Sequence, residues 1–197
     1  MVISPIGKRR SIRKFGDEEV PPEAIADILE AARLAPSACN IQPIRVLVLS
    51  DPDDLDACRS AAYGIGACMT APVIMLCMAD RSAVDAVGER AAELQEAGAF
   101  EPVDVGSLES GIGHPFELRL GDDIMLVSAG VAVEHMVLQA AANGLGTCWV
   151  HHFDHDQLRS HFGIPDHLEL LTLLPLGWPA ESPEPRPRLA SIEWNRA

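Results

Sequence analysis

Apolar and polar positions recur along this chain with spacings that predict its elements. Ile25, Ile28, Leu29 and Ala32 fall at i, i+3, i+4 and i+7, so Pro22 to Leu34 is predicted as a helix with one apolar face. Pro36 ends it, because the residue before a proline is pushed out of the α region. Arg45 to Ser50 (R-V-L-V-L-S) reads as a strand. Pro72 to Ala79 is a continuous apolar run of strand length, which predicts a strand buried on both faces. Thr147 to His152 and Glu169 to Leu176 are the remaining strand-like runs. The longest helical pattern is Asp122 to Asn143, opened by acidic residues, closed by Gly144 and apolar on most of its circumference, as a central core helix would be.

Shorter signals fill the gaps. Ser4 as N-cap with Pro5 at the first helical position predicts a short helix. Asp51 caps a helix running to about Ala62, and Asp154 with Gln157 three residues on is a capping box for a helix ending at Gly163. Arg81 to Ala97 is helix-permissive, whereas Gly98 to Gly121 is polar and Gly-rich with no period. Residues 81–121 are therefore expected to form an excursion or lid on one domain spanning 1–197. The prolines from Pro179 to Pro187 predict an extended tail that reaches outside its own core, a neighbouring subunit being the natural contact. Helices and strands mix without regular βαβ alternation and without an internal repeat, which points to an α+β fold.

Composition narrows the function. The chain has 197 residues, 15 Lys+Arg against 29 Asp+Glu, and a net charge of −14. That balance argues against a nucleic-acid surface, which needs a spread of cations. Against this background Lys8, Arg9, Arg10, Arg13 and Lys14 gather five of the 15 basic residues within seven positions, beside the hydroxyl of Ser11. Such a cluster suits one small phosphorylated ligand, since guanidinium forks bind phosphate oxygens bidentately; the competing reading is a solvated basic turn. Five cysteines without a C-x-x-C pair suggest reduced, buried thiols and an intracellular protein. No signal peptide is evident, and Glu134, His135 and Gln139 interrupt the most apolar window, so no membrane span is expected and a cytoplasmic location is the default.

The usual catalytic signatures are missing. The chain has no phosphate loop, no dinucleotide fingerprint and no nucleophile elbow. His151, His152, His155, His161 and His167 form a loose cluster around Asp154. On a strand, however, His151 and His152 would face opposite sides, and no zinc spacing appears, so no metal site is expected. Cys39 lacks a flanking base and reads as a small loop filler. What remains is a basic segment, an amide-rich loop between Pro36 and Pro43, and a tail ending in Arg186-Pro187-Arg188. Together these suit a ligand with a phosphate at one end and hydrogen-bonding edges at the other.

Four segments resemble the FMN-dependent nitroreductase (NADH oxidase-like) family, in order and at about the family's spacing. Arg9-Arg10-Ser11-Ile12-Arg13-Lys14-Phe15 is similar to its RRSxRxF segment, and Ala35-Pro36-Ser37-Ala38-Cys39-Asn40-Ile41-Gln42-Pro43 to its A-P-S-x-x-N-x-Q-P loop. Asn143-Gly144-Leu145-Gly146-Thr147-Cys148-Trp149-Val150 resembles its GLG-[ST]-C-W strand entry. Leu176-Gly177-Trp178-Pro179 with Arg186-Pro187-Arg188 resembles its LGxP and following basic pair.

The resemblance implies an α+β homodimer with a mixed sheet flanked by helices around a buried central helix, intertwined termini and FMN at the interface. It implies that Arg9, Arg10, Ser11 and Arg13 hold the phosphate, ribityl chain and pyrimidine side of FMN, with Arg186 or Arg188 closing on the phosphate. Pro36, Ser37, Ala38 and Asn40 would line the ring from the other subunit, and the backbone at His151 and His152 would approach flavin N5. The implied activity is reduction of a small organic acceptor (a nitro compound, quinone or similar) by NADH or NADPH in ping-pong turnover, with no catalytic acid or base from a side chain. A cation at Arg13 would favour the anionic reduced ring. A flavin-binding or flavin-modifying protein of the same fold, without NAD(P)H-dependent nitroreduction, is the alternative. Cys39 stands where the family often has glycine, Ile44 where it often has Trp, and His151-His152 where it has smaller or acidic residues, which leaves the acceptor open.

Overall fold

The computed structural model of the chain describes residues 2–99, 122–190 and 192. The described elements are α1 (Ser4–Lys8), α2 (Pro22–Arg33), β1 (Ile44–Leu49), α3 (Pro52–Ala61), α4 (Gly66–Thr70), β2 (Val73–Asp80), α5 (Val87–Glu96), α6 (Asp122–Ala142), β3 (Gly146–Thr147), α7 (His155–Phe162) and β4 (Leu168–Gly177). Strand order is β1-β2-β4-β3, with every named pair antiparallel. Among the described residues one isolated parallel bridge, Ser11 to Thr147, flanks the β3 edge outside the named strands.

β2 explains the layering. All eight of its residues are buried, as its unbroken apolar run predicts. Its side chains alternate between two cores. Ile74, Leu76 and Met78 pack with Leu55, Cys58, Ala67 and Leu158 on the side of α3, α4 and α7. Val73, Met75 and Cys77 pack with Ile28, Val133 and Met136 on the side of α2 and α6. The N-caps predicted at Asp51 and Asp154 form, while the capping box at Asp154 is half made because Asp154 N donates to Ala61 O. Asp51 accepts from Asp53 N at 3.0 Å and Asp154 from Gln157 N at 2.9 Å, while Gly163 closes α7 with φ 61°.

Three expectations change in the structure, and a fourth lies mostly outside the described residues. Ser4 is the first residue of α1 and Ile3 its N-cap, with no side-chain capping bond. Arg81–Ala86 is a 3-10 segment, and α-helix begins only at Val87. The excursion predicted at 98–121 lies, from residue 100 onward, outside the described residues. The strand predicted over 147–152 is only β3, followed by an isolated bridge between Val150 and Leu173. Its register with β4 places Cys148 opposite Pro175, which has no N–H to donate, so the ladder loses a bond there.

Helix α6 has the length and hydropathy of a membrane span over Ile124–Ala142, but only 44% of that stretch is buried by the chain. Its inner side meets α2 and the sheet, where Val133, Met136 and Val137 are sealed. Its outer side leaves Leu126 and Val127 exposed.

All five cysteines are unpaired. Burial is the largest cause that pushes the thiols of Cys58, Cys68 and Cys77 from an ordinary 9.0 up to about 12. The folded chain holds these protons to higher pH than the unfolded chain does. The stabilisation is therefore complete below pH 9 and lost as pH rises towards 12, at up to about 1.4 kcal/mol per thiol per pH unit. Melting temperature should fall across that window, and Cys77→Ala should fall less steeply than the wild type; parallel slopes in a pH series would refute it.

Candidate functional site

The basic cluster runs from the end of α1 into a ribbon, residues 11–16, that carries Arg13 and Lys14 and is gripped from two sides. Ile12 N donates to Thr147 O at 2.9 Å, bringing the strand entry alongside. On the other side Gly16 N donates to Trp178 O and Ala180 N to Lys14 O, each at 2.9 Å, and Phe15 bridges Pro179. Ile12 and Phe15 point into the core, each 5% exposed, while Arg13 and Lys14 face outward. The approach is close. A Cβ on Gly146 would lie 2.6 Å from Ile12 Cγ1 and 2.8 Å from its Cβ, and one on Gly177 would lie 2.7 Å from Pro72 Cδ. Three of the four sequence motifs therefore meet on one ribbon.

Beside the ribbon is a cleft of about 280 Å³, lined by Arg9, Arg10, Ser11 and Arg13 and by Arg186 and Arg188 from the tail. Five guanidinium groups face one lining carboxylate, Glu184, in a chain of net charge −14. Local bonds orient these cations. Arg10 Nη1 donates to Gly7 O at 3.0 Å and to Arg9 O at 2.8 Å, and Arg13 Nη1 donates to Ser11 O at 3.1 Å. Arg9 stands 3.9 Å from Glu134 of α6, and the Arg13 backbone donates to Glu181 of the tail at 2.5 Å. Neither Lys8 nor Lys14 lines the cleft. Forked donors concentrated against the overall charge give this cleft the chemistry to take an anion such as a phosphate.

The loop at 36–43 lies apart from the cleft. Pro36 and Ser37 line a separate cavity of about 310 Å³ with the end of α2, the start of β1 and Ser128 of α6. Ser37 Oγ accepts from Gln42 N at 3.0 Å, and Ser128 Oγ accepts from Ala38 N at 3.3 Å. Between these ties Cys39, Asn40 and Gln42 have φ of 46°, 55° and 49°. Left-handed backbone at a side chain such as Cys39 costs about 1–2 kcal/mol, so the bonds around it must enforce the loop's shape. Cys39 packs beside Ile41, Val87 and Met125, and burial raises its thiol pKa, which leaves it a filler with little thiolate.

His151 and His152 part company. A bulge in β4 leaves Leu171 without an opposite residue on β2, and the Leu171 carbonyl accepts from His151 Nδ1 at 2.6 Å. His151 also lines a third cavity, of about 440 Å³, with His155, Arg81, Glu169 and Met125. His152 lies outside these cavities, its ring centroid 5.1 Å from that of Tyr63. His155 stacks on Phe153, and His161 pairs with Asp54 at 3.2 Å. Among the described residues no three His, Cys, Asp or Glu side chains gather as a metal set. Tyr63 belongs to no sequence motif; its one signal is an aromatic residue just before Gly64 at a helix end.

The sequence profile of the Nitroreductase family matches residues 6–67 and 112–178, which is well over half of the chain. The chain belongs to the nitroreductase family. An NADH dehydrogenase of Thermus thermophilus is 33% identical over 92% of this chain and 88% of its own length. A 5,6-dimethylbenzimidazole synthase of Rhodospirillum rubrum is 28% identical over 94% and 85%. The fold superposes on the crystal structure of a nitroreductase from Exiguobacterium sibiricum in complex with FMN. That pair has a TM-score of 0.78 and 25% identity, over 94% of this chain and 91% of the other.

The contact of Gly146 with Ile12 ties this nitroreductase ribbon to the sheet. Gly146→Ala should therefore lower stability by about 1–3 kcal/mol through overpacking. A denaturant midpoint equal to that of the wild type would show that the ribbon is not held there.

Proposed function

We propose that this chain is an FMN-dependent NAD(P)H oxidoreductase that reduces a small organic acceptor, such as a nitro compound or quinone, by ping-pong turnover as a cytoplasmic homodimer. The observation that carries this reading is the five-guanidinium cleft. The ribbon beside it is bonded to Thr147, where the 147–152 segment begins. A phosphate-bearing cofactor fits that cleft. The nitroreductase crystallised with FMN and the NADH dehydrogenase relative support the same cofactor and donor.

In this reading Arg9, Arg10, Ser11 and Arg13 hold the phosphate and ribityl chain, and Arg186 and Arg188 close over them from the tail. Arg13 adds positive charge near the pyrimidine edge of the ring. The backbone at His151 and His152 borders the ring. Pro36, Ser37, Ala38 and Asn40 serve the second copy's site, which accounts for a loop with its own cavity away from the basic cleft. FMN supplies the hydride chemistry when bound; the chain binds, orients and places charge. The alternative of a flavin-binding or flavin-modifying protein draws on the synthase relative at 28% identity, below the 33% of the dehydrogenase.

Homodimerisation is supported by the apolar residues the chain leaves uncovered: Val2, Ile3 and Ile6 around α1, Leu34 after α2, and Leu126 and Val127 on α6. An exposed set of this size, on helices that pack together, suits a partner interface.

Purified protein should be yellow, and its flavin absorbance should bleach with NADH or NADPH. Flavin that stays bound but unreduced favours the alternative, and protein that takes up no FMN refutes both. Arg9→Ala and Arg13→Ala should each weaken FMN binding by about tenfold or more, the loss of a charge-assisted contact, while Lys8→Ala should not. Equal losses in all three would return the cluster to a solvated basic turn.

Val127→Glu should yield a monomer by light scattering and lose flavin with it. A dimer that persists in this variant would place the interface elsewhere.

A further inference from the structure

Tyr63 is the one tyrosine in the chain, and it sits where its conformation is unfavourable and its ring unprotected. It follows α3 with φ 51°, a position that ordinarily goes to glycine or asparagine. Its side chain is 61% exposed, so burial does not offset the strain. Strain retained without compensation from packing is characteristic of sites selected for something other than stability.

The mount of this ring is firm. Asp154 N donates to Ala61 O at 2.9 Å, and Gln157 Nε2 donates to Ser60 Oγ at 3.2 Å, which fastens the end of α3 to the turn after His152. Phe153, 5% exposed, anchors that turn in the core. The His152 ring then lies 5.1 Å from Tyr63 at an interplanar angle of 38°. Three residues earlier on the same segment Trp149 is 41% exposed, and the segment begins at Thr147, which bridges Ser11 of the basic ribbon.

We propose that Tyr63 and His152 form a stacking wall for the second substrate, a planar aromatic acceptor of quinone type. This rests on the reading of the site as flavin-dependent. The exposed Tyr63 ring offers an aromatic face for stacking, which recognises flatness rather than an edge pattern. Flatness is what acceptors of varied substitution share, whereas a cofactor held for many turnovers is held by its phosphate and its edges. Tyr63 is thus a specificity residue that touches the acceptor, and His152 sets the tilt of its ring.

The test uses the FMN-loaded protein, 1,4-naphthoquinone as the planar acceptor and ferricyanide as a compact non-aromatic one. Asparagine accepts left-handed backbone, so Tyr63→Asn should melt at or above the wild-type temperature. Its KM for naphthoquinone should rise at least about fivefold relative to its KM for ferricyanide, the scale of one lost stacking contact, with the FMN dissociation constant within about twofold. Tyr63→Phe keeps the ring and should keep the wild-type ratio. An unchanged ratio in Tyr63→Asn overturns the proposal. A fall of more than about 5 °C in melting temperature makes the ring structural and overturns it too. FMN binding weakened by about tenfold assigns the ring to the cofactor and also overturns it. Wild-type protein that takes up no FMN is a separate result, because it removes the flavin reading before any variant is compared.

Discussion

The contact on which the rest of the site depends is the approach of the 11–16 ribbon to the sheet across Gly146. With Ile12 atoms within 3.0 Å of where a Cβ would stand, only glycine lets the ribbon reach the Thr147 carbonyl. Once Ile12 is seated, Phe15 follows against Gly177 and Pro72. The Trp178–Ala180 backbone then closes the second side. Arg13 lies between these two buried anchors and is forced outward. A short apolar contact therefore sets where a charged side chain points, and the arginine needs no buried partner of its own.

That arrangement makes the charge distribution intelligible. A chain of net charge −14 repels anions at long range, and screening limits that repulsion to about 10 Å at ordinary ionic strength. Guanidinium groups outnumber carboxylates five to one in the cleft lining. With Glu134 at Arg9 and Glu181 at the Arg13 backbone counted, the local balance is still positive, which favours an anion. The tail contributes at both levels. Glu181 accepts from the Arg13 backbone, and Arg186 and Arg188 complete the ring of cations. The prolines between them keep the tail extended, which allows it to span from the ribbon to the far side of the cleft.

Some of this was legible in the residues alone. α2 and β2 declared themselves because one has a strict helical period and the other an unbroken apolar run, patterns that tertiary contacts reinforce. The basic segment was legible because it contradicts the overall charge. Less legible were features set by a residue distant in sequence. Pro175 interrupts the pairing at Cys148, a bulge at Leu171 captures His151, and the fastening of Ser60 and Ala61 to the 154–157 turn displays Tyr63. None of these leaves a local pattern, since each depends on register across strands or on two loops meeting.

The division of the site carries a further consequence. In one chain the basic cleft and the 36–43 loop belong to separate cavities, and α6 contributes to both surroundings, through Glu134 at Arg9 and Ser128 at Ala38. The same helix leaves Leu126 and Val127 uncovered. A helix that is apolar around its circumference yet only 44% buried is unusual for an isolated chain, because the uncovered part adds hydrophobic surface without adding stability. A second copy packed against that face would remove the apolar surface from water. In the homodimer proposed above, the same packing would supply one copy's loop to the other's cleft. On this view assembly and cofactor binding draw on one surface, so a substitution that weakens either should weaken both.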